Sequence, residues 1–131
     1  VQYGSDNAAY VGVEVDASSG VTFSNILFQK NSTDLADQAS FQQVLAIAEA
    51  IRQLPGAQFL VEGHTCDLGA AEYNRDLSDR RAKAIKAYLV SQGIAENRLE
   101  ARGYGEDRPR FPNDNEENRK KNRRVELVPL D

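Results

Sequence analysis

A short apolar, β-prone run, Gln58-Phe59-Leu60-Val61-Glu62, feeds without a break into Gly63-His64-Thr65-Cys66-Asp67-Leu68-Gly69. A helical period starts soon afterwards, at Tyr73 or Asn74, and continues to Gln92 with Leu77, Ala84, Ile85, Tyr88 and Leu89 on one face. A core strand that passes through a glycine-bracketed loop into a helix leaves few options. The helix folds back over the sheet, and the next strand, Arg98 to Tyr104, lies parallel to the first by a right-handed crossover. Between them Gly93-Ile94 reads as a left-handed helix cap followed by an apolar contact.

The flanks extend this unit. Asn31-Ser32-Thr33 offers a cap for a helix from about Asp34 to Leu54, because short polar side chains accept from the free N–H groups of a first turn. Its Phe41, Val44, Leu45, Ala48, Ile51 and Leu54 recur at three- and four-residue steps, and Pro55-Gly56 stops it. Upstream, Tyr10 to Asp16 reads as a short edge strand, Ser18-Ser19-Gly20 as a turn and Val21 to Phe28 as a second strand. Downstream, Gly105 to Lys121 reads as a surface loop with one helical turn near Asp114 to Arg119, and Arg123 to Pro129 as a closing strand carrying Val125 and Leu127. The order predicts an α+β fold, an α/β sandwich whose mixed parallel and antiparallel sheet carries two main helices on one face. Residues 1–20 are expected to be a lead-in with the edge strand, and residues 21–131 the folded domain.

Charge and composition exclude several function classes. The 131 residues carry a net charge of -4, which argues against a nucleic-acid partner that needs several phosphates neutralised. No apolar run approaches the roughly 20 residues that span a bilayer, so no transmembrane segment is expected in this chain. A single cysteine, Cys66, has no intramolecular disulfide partner, and the single histidine, His64, makes no metal site without carboxylates. No metal or cofactor is expected. The absence of methionine and of a basic-then-apolar leader suggests a mature or excised segment. From Arg98 to Arg124 nine cationic side chains interleave with acids, the pattern of a solvated face or of a site for small anionic groups.

Chemistry concentrates in the loop and the helix that follows it. Asp67 is acceptor-only when ionised, and Arg81 offers a planar fork of donors. A ligand with an ammonium and a carboxylate on one carbon satisfies both: Asp67 takes the first, and Arg81 grips the second with two parallel bonds. The competing reading pairs the two with each other or with solvent. His64, just inside a strand end, reads as a hydrogen-bonded structural group, and Cys66 as a small semi-buried one. Gly103-Tyr104-Gly105 reads as a strand-end turn. No nucleophile–base set with a third partner emerges, so a binding module is expected rather than an enzyme.

The run Gly63-His64-Thr65 to Ala82, then Tyr88-Leu89, Gly93-Ile94, Gly103-Tyr104-Gly105-Glu106 and Asn122-Arg123-Arg124-Val125-Glu126, resembles the OmpA-like C-terminal domain. That is the peptidoglycan-associating module of outer-membrane porin-type proteins, peptidoglycan-associated lipoproteins and flagellar stator proteins, and the likeness covers roughly residues 21 to 129. It implies a non-catalytic periplasmic module, anchored through a missing N-terminal part to the outer membrane or to an inner-membrane assembly. Its implied partner is the diaminopimelate of the peptidoglycan stem peptide, clasped at its carboxylate by Arg81. Contacts are implied from Phe28 and Asn31 after the first core strand, from Thr65, Cys66 and Asp67 in the loop, and from Leu77. The common family pattern G-H-T-D puts an acid where Cys66 stands, and Asp67 follows one residue later. Either the loop shifts so that Asp67 supplies the charge, or the pocket relies on backbone groups and Arg81, because a thiol near neutral pH is no substitute for a carboxylate. A module that docks other envelope proteins, its wall site altered, is the alternative.

Overall fold

Two parallel strands joined through a helix form one end of the sheet. The computed structural model describes residues 13–16, 20–23, 35 and 38–130. The elements are β1 (Val13–Asp16), β2 (Gly20–Phe23), α1 (Gln38–Arg52), β3 (Gln58–His64), α2 (Ala71–Ser91), β4 (Leu99–Gly105), α3 (Glu116–Asn122) and β5 (Arg124–Leu130). Strand order is β1-β2-β5-β3-β4. β3 and β4 are parallel, while β5 inserts antiparallel between β2 and β3, with Val61 opposite Leu127. This is the mixed sheet expected from the sequence, with β1 at one edge. No helix among the described residues is long and apolar enough to cross a membrane.

The helix-side core joins Val44, Ile47, Ala48 and Ile51 of α1 to Ala82, Ile85 and Leu89 of α2, over Phe59, Val61, Leu99, Val125 and Leu127 of the sheet. Phe41 and Tyr88 meet edge to face between the two helices, their centroids 6.3 Å apart. Two details depart from the sequence reading. Leu54 is 54% exposed, because α1 ends at Arg52 and the chain turns away before Leu54 can join the stripe. Arg98 fixes that ending from a distant part of the chain, donating to the carbonyls of Ile51, Leu54 and Ala57. α2 starts at Ala71, earlier than expected, with Ala70 at its N-cap and no side-chain cap to mark it. Its other end matches expectation: Gly93 sits at φ 97°, and Gly93 and Ile94 donate to Val90 and Leu89, the paired bonds of a Schellman ending.

Gly63 and Gly103 lie opposite each other in the β3–β4 register, and α2 rests on them. A Cβ on Gly103 would stand 2.0 Å from the Asp79 nitrogen, and one on Gly63 would stand 2.5 Å from the Ser78 carbonyl oxygen. The Gly103-Tyr104-Gly105 segment is therefore part of β4 and a seat for the helix rather than a terminal turn. Asp79 Oδ1 accepts from the Gly103 N–H at 3.1 Å, and Ser78 Oγ from the Gly105 N–H at 2.9 Å.

The opposite face of the sheet is charged and still largely buried. His64 Nε2 lies 3.0 Å from Glu62 and 3.8 Å from Glu126, and its ring stacks on Tyr104 with centroids 5.5 Å apart. Arg124 bonds Glu126, and Arg108 lies over Tyr104, 3.9 Å from Glu62. With Nε2–H donating to Glu62, Nδ1 is buried without a hydrogen-bond partner. A second proton there would have no acceptor. Burial accordingly holds the His64 pKa below its ordinary 6.5, with the Arg124 charge acting in the same direction against the favourable bond to Glu62.

Two predictions follow from this packing. Gly103→Ala forces the Asp79 backbone to move and is expected to cost about 3 kcal/mol or more, read as a lower urea midpoint. For His64, the unfolded chain takes up a proton near pH 6.5 and the folded chain only at lower pH. The unfolded state thus binds more protons, and stability falls as pH drops from about 6.5 towards the folded pKa. Urea midpoints measured at pH 7.5 and 5.5 are expected to differ less in His64→Gln than in the parent.

Candidate functional site

The loop from Thr65 to Ala70 leaves β3 at its C-terminal end and enters α2, and side chains from three elements hold it. Thr65 N–H donates to the Gly105 carbonyl at 2.9 Å, which continues the sheet by one residue, and Thr65 Oγ1 donates to the Cys66 carbonyl. Asn74, fully buried in the first turn of α2, donates to the carbonyls of Leu68 (2.8 Å) and Cys66 (3.4 Å). Gly69, at φ 89°, makes the left-handed bend the chain needs to turn back onto the helix.

Asn74, Leu77, Ser78, Arg81 and Ala82 all lie on the buried stripe of α2. Asn74 therefore ties the loop to the same helix face that carries Leu77 and, seven residues or about 10.5 Å further along the axis, Arg81. Arg81 is 3% exposed and engaged by neighbours within the fold. Thr65, Cys66 and Leu77 are also buried, whereas the Asp67 side chain is 42% exposed. The loop is thus tied to the first turn of α2, and Arg81 lies about two turns further along the same stripe. Phe28 and Asn31 lie outside the described residues.

The Cys66 thiol points inward. Its Sγ accepts from Arg123 Nη1 at 3.4 Å, and Arg123 Nη2 is bonded at 2.5 Å to Glu116 on α3. The side chain at position 66 thus faces a buried guanidinium, while the next residue faces out. Asp67 meets the second arginine of this region: Arg119 Nε lies 3.6 Å from Asp67 Oδ1. α3 and the residue that ends it thereby meet the loop at two successive positions. Asn115 caps α3, accepting from Asn118 N–H at 2.8 Å, and acidic residues in its first turn and basic ones in its last complement the helix dipole. Buried Asn122 secures the preceding loop, accepting from Arg110 and Phe111 N–H and donating to the Phe111 carbonyl and to Asn113.

Sequence reasoning missed Asn74, Arg119 and the depth of Arg123. Arg123 and Arg124, which lie in the stretch read as a solvated face or a site for small anionic groups, are 0% and 3% exposed and serve opposite sides of the sheet, as strand alternation requires. Burial lowers the Arg124 pKa, against the opposing pull of Glu126. Alternation was the available signal for Arg123: the residue before β5 that turns away from Arg124 must face the loop.

Two other places can be weighed as sites. Glu62, His64 and Glu126 place ligand atoms within 4.8 Å of one another. Arg108 and Arg124 already balance both carboxylates, so a divalent ion would leave a largely buried excess charge, and the trio does not fit one. A shallow groove of about 400 Å³ beside α2 is lined by Glu72, Arg75, Asp76, Asp79 and Gly103. Two of its carboxylates are paired, Asp76 with Arg80 and Asp79 with Lys83, and the Lys83 bond chiefly lowers the Asp79 pKa. It contains none of the loop or Arg81 candidates.

Comparison with known proteins bears on the same region. The model of the OmpA family matches residues 27–123. The peptidoglycan-associated lipoprotein of Pseudomonas aeruginosa is 35% identical over 125 residues, which cover 95% of this chain and 73% of the relative. Among solved structures, the cell wall anchor of the T6SS from Pseudomonas aeruginosa superimposes with a TM-score of 0.76 at 32% identity, covering 92% of this chain and 88% of the other. A MotB-like protein from Desulfovibrio vulgaris gives 0.77 at 28% identity, covering 92% and 78%. With three-quarters of its length matched by the family model and strand order, loop and α2 stripe all in place, the chain belongs to the OmpA family.

Proposed function

We propose that the chain is a peptidoglycan-binding module of the cell envelope that holds the diaminopimelate residue of the stem peptide. It is not an enzyme. Arg81 takes the ligand carboxylate through its guanidinium fork, and Asp67 takes the ammonium on the same carbon. Leu77, Thr65 and Cys66 form the wall of the site, with Phe28 and Asn31 assigned to its rim. The module works in the periplasm, joined to the outer membrane or to an inner-membrane assembly through another part of its protein.

The observation that carries this reading is the bond from Asn74, on the α2 stripe that also holds Arg81, to the two carbonyls that flank Asp67 in the loop. The relatives' own descriptions, a peptidoglycan-associated lipoprotein and a cell wall anchor, support it. Between Gly63 and Ala70, Asp67 is the sole carboxylate in the sequence, so it supplies the negative charge for which Cys66 is unsuited. One observation favours a second reading, docking of another envelope protein: Phe111 is 39% exposed, with the Lys121 ammonium 4.9 Å from its ring centroid.

Calorimetric titration with a diaminopimelate stem peptide, beside its lysine counterpart that lacks the side-chain carboxylate, tests the assignment. The diaminopimelate peptide is expected to bind selectively, and Arg81→Lys, which keeps the charge and loses the fork, to weaken it by about tenfold or more. Equal affinity for the two peptides, or an unchanged affinity in Arg81→Lys, would sink the clasp. Asp67→Asn is expected to cost a similar factor on the ammonium side, since a charge-assisted bond becomes a neutral one. A fold checked by circular dichroism separates loss of binding from loss of structure.

A further inference from the structure

We propose that Arg119 is an intramolecular competitor for the ligand's ammonium and so sets the affinity of the site; this rests on the reading that Asp67 receives that group. The geometry is specific. Arg119 Nε faces Asp67 Oδ1 at 3.6 Å, close enough for an ion pair but too long for a hydrogen bond, and that Nε is buried with no hydrogen-bond partner. Arg119 offsets part of the charge of Asp67 without hydrogen-bonding to its oxygens.

Asp67 does not hold Arg119 in place. Nη2 of Arg119 donates to the Asn113 carbonyl at 3.3 Å, and its backbone belongs to the Asn115-capped helix α3. An ammonium that reaches Asp67 can therefore form hydrogen bonds there while Arg119 stays anchored, and α3 need not unfold. The ligand nevertheless enters a field already weakened by the guanidinium. The Cys66 side chain is turned away from this pair, its Sγ accepting from Arg123. A positive ligand group thus binds more weakly than the carboxylate alone would allow. The Asp67 and Arg119 side chains are 42% and 27% exposed, which keeps the competition in the range of a partly solvated pair.

The experiment compares two probes on the whole chain: the diaminopimelate stem peptide and the same peptide with its side-chain amine acetylated, which keeps the carboxylate and removes the positive charge. Arg119→Gln is expected to raise affinity for the first by up to about five-fold and to leave the second unchanged. Arg119→Lys keeps the competing charge and is expected to match the parent. In the Asp67→Asn background the gain from Arg119→Gln disappears. A gain of equal size for both peptides would make Arg119 a structural residue and overturn the proposal, as would no gain for either. If neither peptide binds in an Arg81-dependent way, the assignment of the site itself has failed and this inference falls with it.

Discussion

The fold depends on one close approach, the backbone of α2 at Ser78 and Asp79 seated on the paired glycines Gly63 and Gly103. A helix normally stands off a sheet by the length of the side chains between them. Here two missing Cβ atoms let it descend to backbone contact, and the bonds from Gly103 and Gly105 to Asp79 and Ser78 fix its position along the strands. A helix seated this way cannot slide or rotate without a steric clash. Leu77 and Arg81, just before and just after the seat, therefore keep fixed places relative to the end of β3. The loop is fixed at both ends, by the Thr65–Gly105 bond at the strand and by Asn74 on the helix.

The second layer of order comes from α3 and the arginines that flank its end. Arg123 is fully buried between Glu116 and the Cys66 thiol, and Arg124 lies on the other side of the sheet against Glu126 and the carbonyls of Asn122 and Arg108. Removing such a group from water is costly, and the bonds to Glu116, Cys66, Glu126 and the two carbonyls offset that cost. The two adjacent guanidinium groups therefore act as struts that hold the 105–122 segment to both faces of β5. A seven-residue helix has little stability by itself. Its anchorage lies in Asn122 at one end, Asn115 at the other and Arg123 beneath.

The framework was legible in the sequence wherever structure is set by near neighbours. The apolar spacing from Val44 to Ile51, the run into Gly63 and the Gly93-Ile94 ending are local patterns, and each predicted its element. The misses share a long-range cause. The end of α1 is set by Arg98, more than forty residues away, so no local rule shows that Leu54 leaves the stripe. Arg123 and Arg124 looked solvated because charge runs usually are, and their burial depends on partners in β3, the loop and α3. Of the proposed site, Asp67 and Arg81 were read from residue type and spacing, and Cys66 and Leu77 from the family resemblance. Arg119 could not be read in either way, since its meeting with Asp67 exists only once α3 lies over the loop.

The two ends of the proposed clasp stand on unlike supports, and this has a consequence for recognition. Arg81 projects from the middle of a 21-residue helix seated on the sheet, so the group that meets a carboxylate is rigid and largely removed from water. Asp67 sits on a loop, 42% exposed, with a guanidinium beside it. A charge-assisted bond to a buried, pre-oriented fork strengthens with desolvation, while one to an exposed carboxylate stays weak and is screened by salt. Discrimination should therefore reside at the carboxylate end, and affinity should be tuned at the ammonium end. The Cys66 thiol fits that division: it turns inward to Arg123, and the adjustable charge lies one residue further on, where Arg119 can reach it.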